Sequence, residues 1–291
     1  MGFNYQREPG REKQDRGLNK KEKPLVSIIT AYYNAEKYFE QTYNCVLNQT
    51  FPWFEWIIVN DGSTDKIDRL EELVKTDPRI VLYHKGNGGL SSARNYGIER
   101  SRTEYIVPLD ADDLISEAYI EKLYFGLFFN PKASWAYTDS VGFQEQEYVW
   151  KKSFSSEIMK HSNLLVATAM IRKNDFKEVG YYEEIEKHYN EDWRAWLKLL
   201  AKGKYPVHVE GYDFWYRRLG DGLLSNIKSS KELTKKSEEI IQKASREIKK
   251  EVKAVEFPVR EVTNQFLAPQ RVDWEYKTFA QKTKKKVLML L

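Results

Sequence analysis

The chain has 291 residues, enough to bury a large hydrophobic core and close to the upper limit for one domain, so two full domains are not expected. Apolar residues make up 41% of the sequence and 15 glycines add to them, which is typical of a globular protein and excludes disorder of the whole chain. The 47 basic and 43 acidic side chains leave a net charge of +4, too small to predict a nucleic-acid partner, and we expect none.

The first residues differ in composition from those that follow. Residues 1–23 carry many charged and few apolar side chains, so they cannot offset the entropy cost of ordering, and we predict a flexible charged arm. Short apolar runs typical of buried strands then alternate with helical patterns. The strand-like runs are 25–30, 56–59, 80–83 and 105–109, and the helical patterns between them cover about 39–47, 67–74 and 91–101. This alternation predicts an α/β domain with a mainly parallel sheet.

The second half of the chain is less regular. Strand-like segments occur at 135–137, 167–171 and 205–209, and a helical pattern over 191–202 ends at Gly203. Residues 228–254 are rich in Lys and Glu and place an apolar stripe on one face, which predicts an amphipathic helix lying on the body or on a partner. The final residues, 284–291, resemble the first strand of another α/β unit, so we expect a further domain after Leu291.

The cysteine content and the termini bear on location. Cys45 is the only cysteine, so the chain can form neither an internal disulfide nor a cysteine-rich zinc site, which is typical of a reducing compartment. The N-terminal residues lack the apolar core of a secretory signal, and no apolar run approaches the ~20 residues of a membrane span. We therefore expect a cytoplasmic protein. Lys282 and Lys284–Lys286 favour peripheral contact with an anionic membrane on its inner face, with solvated charge as the alternative.

Three carboxylates directly follow the predicted strand at 105–109. They are Asp110, Asp112 and Asp113, and the carboxyl ends of parallel strands share the edge where ligands of open α/β sheets bind. Carboxylates suit Mg²⁺ or Mn²⁺, and two of them leave coordination positions for phosphate oxygens and water. The cluster predicts a nucleotide diphosphate site. The alternative is that one Asp caps the next helix, but a cap needs only one of the three.

Other polar residues follow the neighbouring strands. Asp61 can accept a hydrogen bond from a base or a ribose, although an Asp-Gly pair is also typical of a plain turn. The glycine-rich loop at 86–89 precedes a helix bearing Arg94, and this pattern could cradle a phosphate or form an ordinary loop with a surface arginine. Glu191 and Asp192 open a helix, where they stabilise its dipole or provide a general base.

Taken together, four motifs resemble those of the family 2 glycosyltransferases of the GT-A fold. They lie at 26–34, 59–65, 87–95 and 109–113, and they occur in the family's order and spacing. The resemblance implies a GT-A fold, an α/β fold with a mixed, mainly parallel sheet flanked by helices, here with a C-terminal helical extension. It implies three regions: the arm at 1–23, a GT-A domain at 24–226, and a helical extension and tail at 227–291 that runs into a further domain.

The resemblance also implies roles on the donor side. Ala31 and Tyr33 would line the nucleotide base, with the Tyr33 ring stacked on it. Asp61 would accept a hydrogen bond from the imide N–H of the base, which favours uracil and hence a UDP-sugar. Arg94 would lie near the nucleotide.

The DXD motif and the late ED motif complete the site that the resemblance implies. Asp110-Ala111-Asp112 stands at the DXD position, so these residues would bind the nucleotide-sugar, and Asp112 and Asp110 would bind Mn²⁺ or Mg²⁺. Asp192 stands at the ED position and would be the catalytic base. Leu219 lies where many relatives have a histidine, so the sequence lacks that candidate for a third metal ligand.

The implied activity is a metal-dependent, inverting transfer of a sugar from a UDP-sugar to a hydroxyl of a glycan or lipid-linked acceptor. On the acceptor side, His188 lies near Asp192 in the sequence, and several aromatic residues could stack on a sugar or belong to the core. These aromatic residues are Trp193, Trp196, Trp215 and Tyr216. The alternative is a nucleotide-sugar-binding scaffold without transfer activity. A nucleotidyltransferase is disfavoured because the first strand ends at 31–34 without a glycine-rich signature.

Overall fold

The computed structural model describes residues 23–151, 153–185, 190–219 and 230–257. In the first half, strands and helices alternate: β1 (Val26–Tyr32), α1 (Glu36–Leu47), β2 (Phe54–Asp61), α2 (Asp68–Val74), β3 (Ile80–Lys85), α3 (Leu90–Arg100), β4 (Tyr105–Pro108), β5 (Leu114–Ile115) and α4 (Tyr119–Phe129). The second half contains β6 (Trp135–Gln144), β7 (Tyr148–Trp150), α5 (Ser156–Met159), β8 (Met170–Arg172), α6 (Lys173–Glu178), α7 (Glu191–Ala201), β9 (Pro206–Arg218), α8 (Lys231–Ser245) and β10 (Val255–Phe257).

One sheet joins the ten strands of the described residues. Eight follow the order β10-β9-β6-β8-β4-β1-β2-β3, and β5 and β7 pair with β9 and β6 outside this path. Strands β3, β2, β1 and β4 run parallel, and β10, β9 and β6 are parallel to one another. Strand β8 lies between β4 and β6 and is antiparallel to both. The predicted mixed, mainly parallel sheet is therefore confirmed, and the carboxyl ends of β1, β2 and β4 meet at one edge.

Both faces of the sheet are covered, which explains the continuous apolar runs in the sequence. Successive side chains of a strand point to opposite faces, so Ile28 belongs to one hydrophobic core and Ile29 to the other. Helix α1 covers the first face, where the ring of Phe39 lies 5.7 Å from that of Trp56. The second core includes Trp196 of α7 and Ile241 of α8.

The C-terminal extension differs from the sequence prediction. The helix expected over 228–254 begins after the N-cap Ser230 and ends at Ser245, and the chain then forms β10 beside β9. Tertiary contacts override the local helical preference, because the hydroxyl of Ser245 donates to the carbonyl oxygen of Lys160 and the amide of Ser156 donates to that of Val252. The extension thus packs on the chain's own body.

Several predictions fall on residues outside the described ranges. They concern the arm at 1–22, His188, the predicted domain boundary at 226/227, the lysines at 282–286 and the strand at 284–291. Within the described ranges, no helix combines the length and the apolar character needed to cross a bilayer.

Helix α3 approaches the sheet closely at Gly97. A Cβ atom added there would lie 2.7 Å from a methyl carbon of Ile29 and 3.3 Å from one of Val59. We expect Gly97→Val to lower the free energy of unfolding by about 2 kcal/mol, because the side chain overpacks this interface. Gly86→Val is the matched control, since no atom lies within 4 Å of a Cβ added at Gly86. Urea unfolding followed by tryptophan fluorescence measures both variants, and equal losses would contradict the prediction.

Candidate active site

The loops after β1 and β2 are joined at the carboxyl edge of the sheet. Asn34 adopts a left-handed conformation with φ of 50°, and its side-chain oxygen accepts hydrogen bonds from the amides of Thr64 (2.7 Å) and Asp65 (3.1 Å). The preceding residue, Tyr33, leaves half of its surface exposed, whereas Ala31 is partly buried in β1. The structure therefore presents the Tyr33 ring to solvent at this edge.

Asp61 holds the glycine-rich loop in place. Its Oδ1 accepts hydrogen bonds from Lys85 Nζ (2.6 Å) and the amide of Gly88 (3.0 Å), and its Oδ2 accepts from the amide of Gly89 (2.8 Å). Gly89 has a φ of 85°, a conformation that favours glycine. The sequence analysis missed Lys85, which the register of the parallel pair β2–β3 places opposite Asp61. The Asp61 carboxylate keeps one Oδ2 lone pair without a partner in these bonds.

Arg94 lies beneath the site and joins its two halves. Its Nη2 donates to Asp110 Oδ1 (2.5 Å) and its Nη1 donates to Glu191 Oε1 (2.9 Å). The residue is 1% exposed, and its guanidinium lies 5.3 Å from the centre of the Tyr182 ring. Burial opposes the charge, but Asp110, Tyr182 and Glu191 outweigh it and raise the pKa of Arg94. Arg94 thus connects the loop after β4 to the first turn of α7.

The carboxylates after β4 have different environments. Asp110 is partly exposed beside Arg94, and Asp112 is partly buried. Burial and the neighbouring charge of Asp110 raise the pKa of Asp112 to about 6. Asp113 is 1% exposed, and its Oδ1 accepts a hydrogen bond from the amide of Arg217 (2.8 Å). Asp113 therefore anchors β9, whereas Asp110 and Asp112 retain partial exposure.

Two other residues fix the turn that carries these carboxylates. The hydroxyl of Thr42 donates to the carbonyl oxygens of Ala111 (2.9 Å) and Asp113 (3.0 Å). The side chain of Ala111 is buried in the first core, so contact with a nucleotide-sugar would be through its backbone. Arg217 Nε donates to the carbonyl oxygen of Asp112 (2.6 Å), a contact that the sequence analysis did not predict.

Asp192 lies in the first turn of α7, next to Glu191. Its Oδ1 accepts a hydrogen bond from the amide of Trp193 (2.7 Å), and its Oδ2 accepts one from Asn163 Nδ2 (3.1 Å). Burial and the charge of Glu191 raise the pKa of Asp192 to about 7, against the opposing effects of these bonds and of Arg94. A carboxylate with this pKa can take up a proton near neutral pH.

The aromatic residues that could stack on an acceptor sugar differ in how deeply they are buried. Trp196 belongs to the second core, where its ring stacks 5.5 Å from that of Trp135, and Trp215 is 5% exposed. Trp193 is partly buried, and its Nε1 donates to the carbonyl oxygen of Met159 (2.7 Å). Tyr216 is also partly buried. Trp196 is therefore a packing residue and not a sugar platform.

A divalent cation at this edge of the sheet would need oxygen ligands from the carboxylates after β4. Across the described ranges, no group of three or more His, Cys, Asp or Glu side chains is arranged to hold a metal. Asp110 and Asp112 provide carboxylate oxygens, the hard ligands that Mg²⁺ and Mn²⁺ prefer, and a cation would relieve the repulsion that raises the pKa of Asp112. Two carboxylates suit such a cation, and they would leave its other coordination positions to ligands from outside this pair.

Comparison with known proteins identifies the family. The model of the family described as "Glycosyl transferase family 2" matches residues 27–184, more than half of the chain. The chain belongs to this family. Curated relatives of the chain are also named glycosyltransferases, and together with the family match they confirm the predicted class of protein.

Two of these relatives are from Bacillus subtilis. The putative teichuronic acid biosynthesis glycosyltransferase TuaG is 32% identical over 215 residues, which cover 70% of this chain and 83% of TuaG. The uncharacterized glycosyltransferase EpsJ is 46% identical over 101 residues, 34% of this chain, and this match spans only 29% of EpsJ.

Solved structures of S. aureus TarS share the fold with this family 2 chain. The complex of TarS residues 1–349 with UDP has a TM-score of 0.61 at 18% identity, covering 76% of this chain and 65% of that one. The complex with UDP-GlcNAc has a TM-score of 0.60 at 20% identity, covering 69% and 61% of the two chains. The predicted GT-A fold is thereby confirmed.

The buried position of Arg94 makes its loss costly. We expect Arg94→Ala to lower the free energy of unfolding by about 3 kcal/mol, because it leaves the carboxylates of Asp110 and Glu191 without their partner. Arg69→Ala is the matched control, since Arg69 pairs with Glu40 on the surface and both side chains are more than half exposed. Its loss should cost less than about 1 kcal/mol. Chemical unfolding compares the two, and similar losses would refute the assignment.

Proposed function

We propose that this family 2 protein is a metal-dependent, inverting glycosyltransferase that moves a sugar from a UDP-sugar to a hydroxyl of a glycan or lipid-linked acceptor. The observation that carries the proposal is the bridge through Arg94, which joins Asp110 to Glu191, the neighbour of Asp192. This bridge holds a diphosphate-binding loop and a general base in one framework. The TarS complexes with UDP and UDP-GlcNAc support a UDP-sugar donor.

On the donor side, each residue has a defined task in this proposal. The Tyr33 ring stacks on the uracil, and the remaining lone pair of Asp61 accepts a hydrogen bond from it. Asp110 and Asp112 would hold Mn²⁺ or Mg²⁺ through their carboxylate oxygens, and Asp110 would also contact the ribose. A bound divalent cation supplies electrostatic stabilisation of the leaving diphosphate.

On the acceptor side, Asp192 acts as the general base. It removes the proton of the acceptor hydroxyl as the hydroxyl oxygen attacks the anomeric carbon, and the bond from that carbon to the diphosphate breaks. The nucleoside diphosphate leaves with the electron pair of that bond. A single in-line displacement inverts the configuration at the anomeric carbon.

The alternative, a nucleotide-sugar-binding scaffold, would dock a partner on the amphipathic helix predicted over 228–254. Two residues of its apolar stripe, Ile241 and Ile248, are instead buried in the second core. We further propose a cytoplasmic location, supported by the buried, unpaired Cys45, with peripheral contact at the inner face of the membrane.

Binding of nucleotides tests the donor site. We expect calorimetry to detect Mn²⁺-dependent binding of UDP in preference to GDP, ADP and CMP, because Asp112 supplies a ligand to the cation and Asp61 a partner to uracil. Asp112→Ala should abolish the Mn²⁺ dependence. Asp68→Ala, which removes an exposed aspartate of α2, should retain it. Binding of UDP that is equally strong and equally Mn²⁺-dependent in Asp112→Ala would remove Asp112 from the site.

The pH dependence of transfer tests the base. Asp192 acts when deprotonated, and its pKa is raised to about 7, so the rate should fall about tenfold per pH unit below pH 7 and level off above it. Asp192→Asn should lose about 10²–10⁴-fold in turnover and keep UDP binding. Release of UDP from UDP-GlcNAc with a panel of glycan and lipid-linked acceptors provides the assay. Full turnover of Asp192→Asn would exclude this residue as the base.

A further inference from the structure

Asn163 contacts the carboxylate of Asp192 from a different part of the chain. It lies in the segment after α5, and its Nδ2 donates to Asp192 Oδ2 over 3.1 Å. Its Oδ1 accepts a hydrogen bond from the amide of Leu165 over 3.2 Å. Because that oxygen must face an N–H group, the orientation of the side-chain amide is fixed, and its NH₂ group must face Asp192.

The segment that carries Asn163 is held on both sides. Toward α7, the carbonyl oxygen of Met159 accepts from Trp193 Nε1 over 2.7 Å. Toward β7, the carbonyl oxygen of Leu164 accepts from Trp150 Nε1 over 2.9 Å. Toward the C-terminal extension, Ser245 donates to the carbonyl oxygen of Lys160 over 3.1 Å. These bonds leave the Asn163 amide with little freedom to turn away from Asp192.

The C-terminal extension also contacts Asn190, the residue that precedes Glu191 and Asp192. Ser237 of α8 is buried and forms a hydrogen bond with the side-chain amide of Asn190, the residue at the start of α7. Asn190 has a left-handed φ of 48°, so this bond supports the turn from which Glu191 and Asp192 emerge. Asp192 thus accepts hydrogen bonds from its own helix and from Asn163, and α8 supports the turn that precedes it.

The charges around Asp192 act in opposite directions. Glu191, on the same helix, raises the pKa of Asp192, whereas Arg94 of α3 lowers it. The phenols of Tyr182 and of Tyr216 on β9 are within electrostatic reach, and the charge of Asp192 contributes to raising the pKa of both. Asn163 is a neutral donor in this set, and its hydrogen bond favours the ionised carboxylate.

We propose that Asn163 is a positioning residue for Asp192, which holds the ionised carboxylate in one orientation and leaves a lone pair on each oxygen for the acceptor hydroxyl. The proposal rests on the function proposed for Asp192 as the base. In the arrangement seen, Oδ1 accepts one bond from Trp193 and Oδ2 accepts one from Asn163. A carboxylate oxygen has a second acceptor position, which remains for a substrate.

Two substitutions separate positioning from support of the loop. Asn163→Asp keeps the size of the side chain and an oxygen that accepts from Leu165, but it replaces the donor to Asp192 with a carboxylate. Asn163→Ala removes both contacts. Asn130→Asp is the matched control, because the side-chain amide of Asn130 donates to the carbonyl oxygen of Gly126 at the end of α4, on the other core.

The pKa of Asp192 is measured directly from its carboxyl ¹³C resonance, identified as the resonance that is absent from Asp192→Asn. We expect Asn163→Ala to raise this pKa by about one pH unit and Asn163→Asp to raise it further, because a like charge disfavours the ionised form more than a missing donor does. The acid limb of the rate profile should move by the same amount. Asn130→Asp should leave both unchanged, and UDP binding should persist in all three variants.

The outcomes separate this inference from the function on which it depends. If neither substitution at Asn163 moves the pKa or the acid limb, while Asp192→Asn is inactive, the positioning role is wrong and the base stands. If Asp192→Asn retains full turnover, the proposed base is wrong. A shift in Asn163→Ala that Asn163→Asp does not reproduce would show that the loop, and not the donor, is responsible.

Discussion

The buried guanidinium of Arg94 is the interaction on which the rest of the site depends. It brings a carboxylate from the loop after β4 and a carboxylate from α7 to the same cation, although Glu191 lies 97 residues from Arg94 in the sequence. An arginine at a 1% exposed position is tolerated only with such partners, because an unpaired buried charge is strongly unfavourable. The need to compensate the charge of Arg94 therefore holds the loop after β4 and the first turn of α7 next to each other.

Burial separates the chemistry of residues that look equivalent in the sequence. Asp110, Asp112 and Asp113 are near neighbours, yet Asp113 is enclosed and bonded to the backbone of β9, whereas Asp110 retains exposure. Glu191 and Asp192 differ in the same way. Glu191 pairs with Arg94, whereas Asp192 accepts hydrogen bonds from Trp193 and Asn163. Burial and the charge of a neighbouring carboxylate raise the pKa of two of these residues: Asp110 acts on Asp112, and Glu191 acts on Asp192.

The strand and helix pattern was predictable from the sequence. Both faces of the sheet are covered, so its buried strands appear in the sequence as short continuous apolar runs. The bridging position of Arg94, the contact of Lys85 with Asp61 and the contact of Asn163 with Asp192 were not predictable, since each joins segments that only the tertiary fold brings together. The end of α8 at Ser245 was missed for the same reason: its sequence favours a longer helix, and contacts with the α5 segment decide otherwise. The roles assigned to the site residues remain predictions.

The separation of Arg94 from its two carboxylates has a consequence for synthesis of the chain. Asp110 follows Arg94 by 16 residues and is available soon after α3 has been made, but Glu191 follows much later. A nascent chain that has formed the first four strands holds an arginine with one of its two carboxylate partners. The donor half of the site therefore lacks part of its contacts until α7 and β9 dock, because Asp113 also accepts a hydrogen bond from the amide of Arg217 in β9.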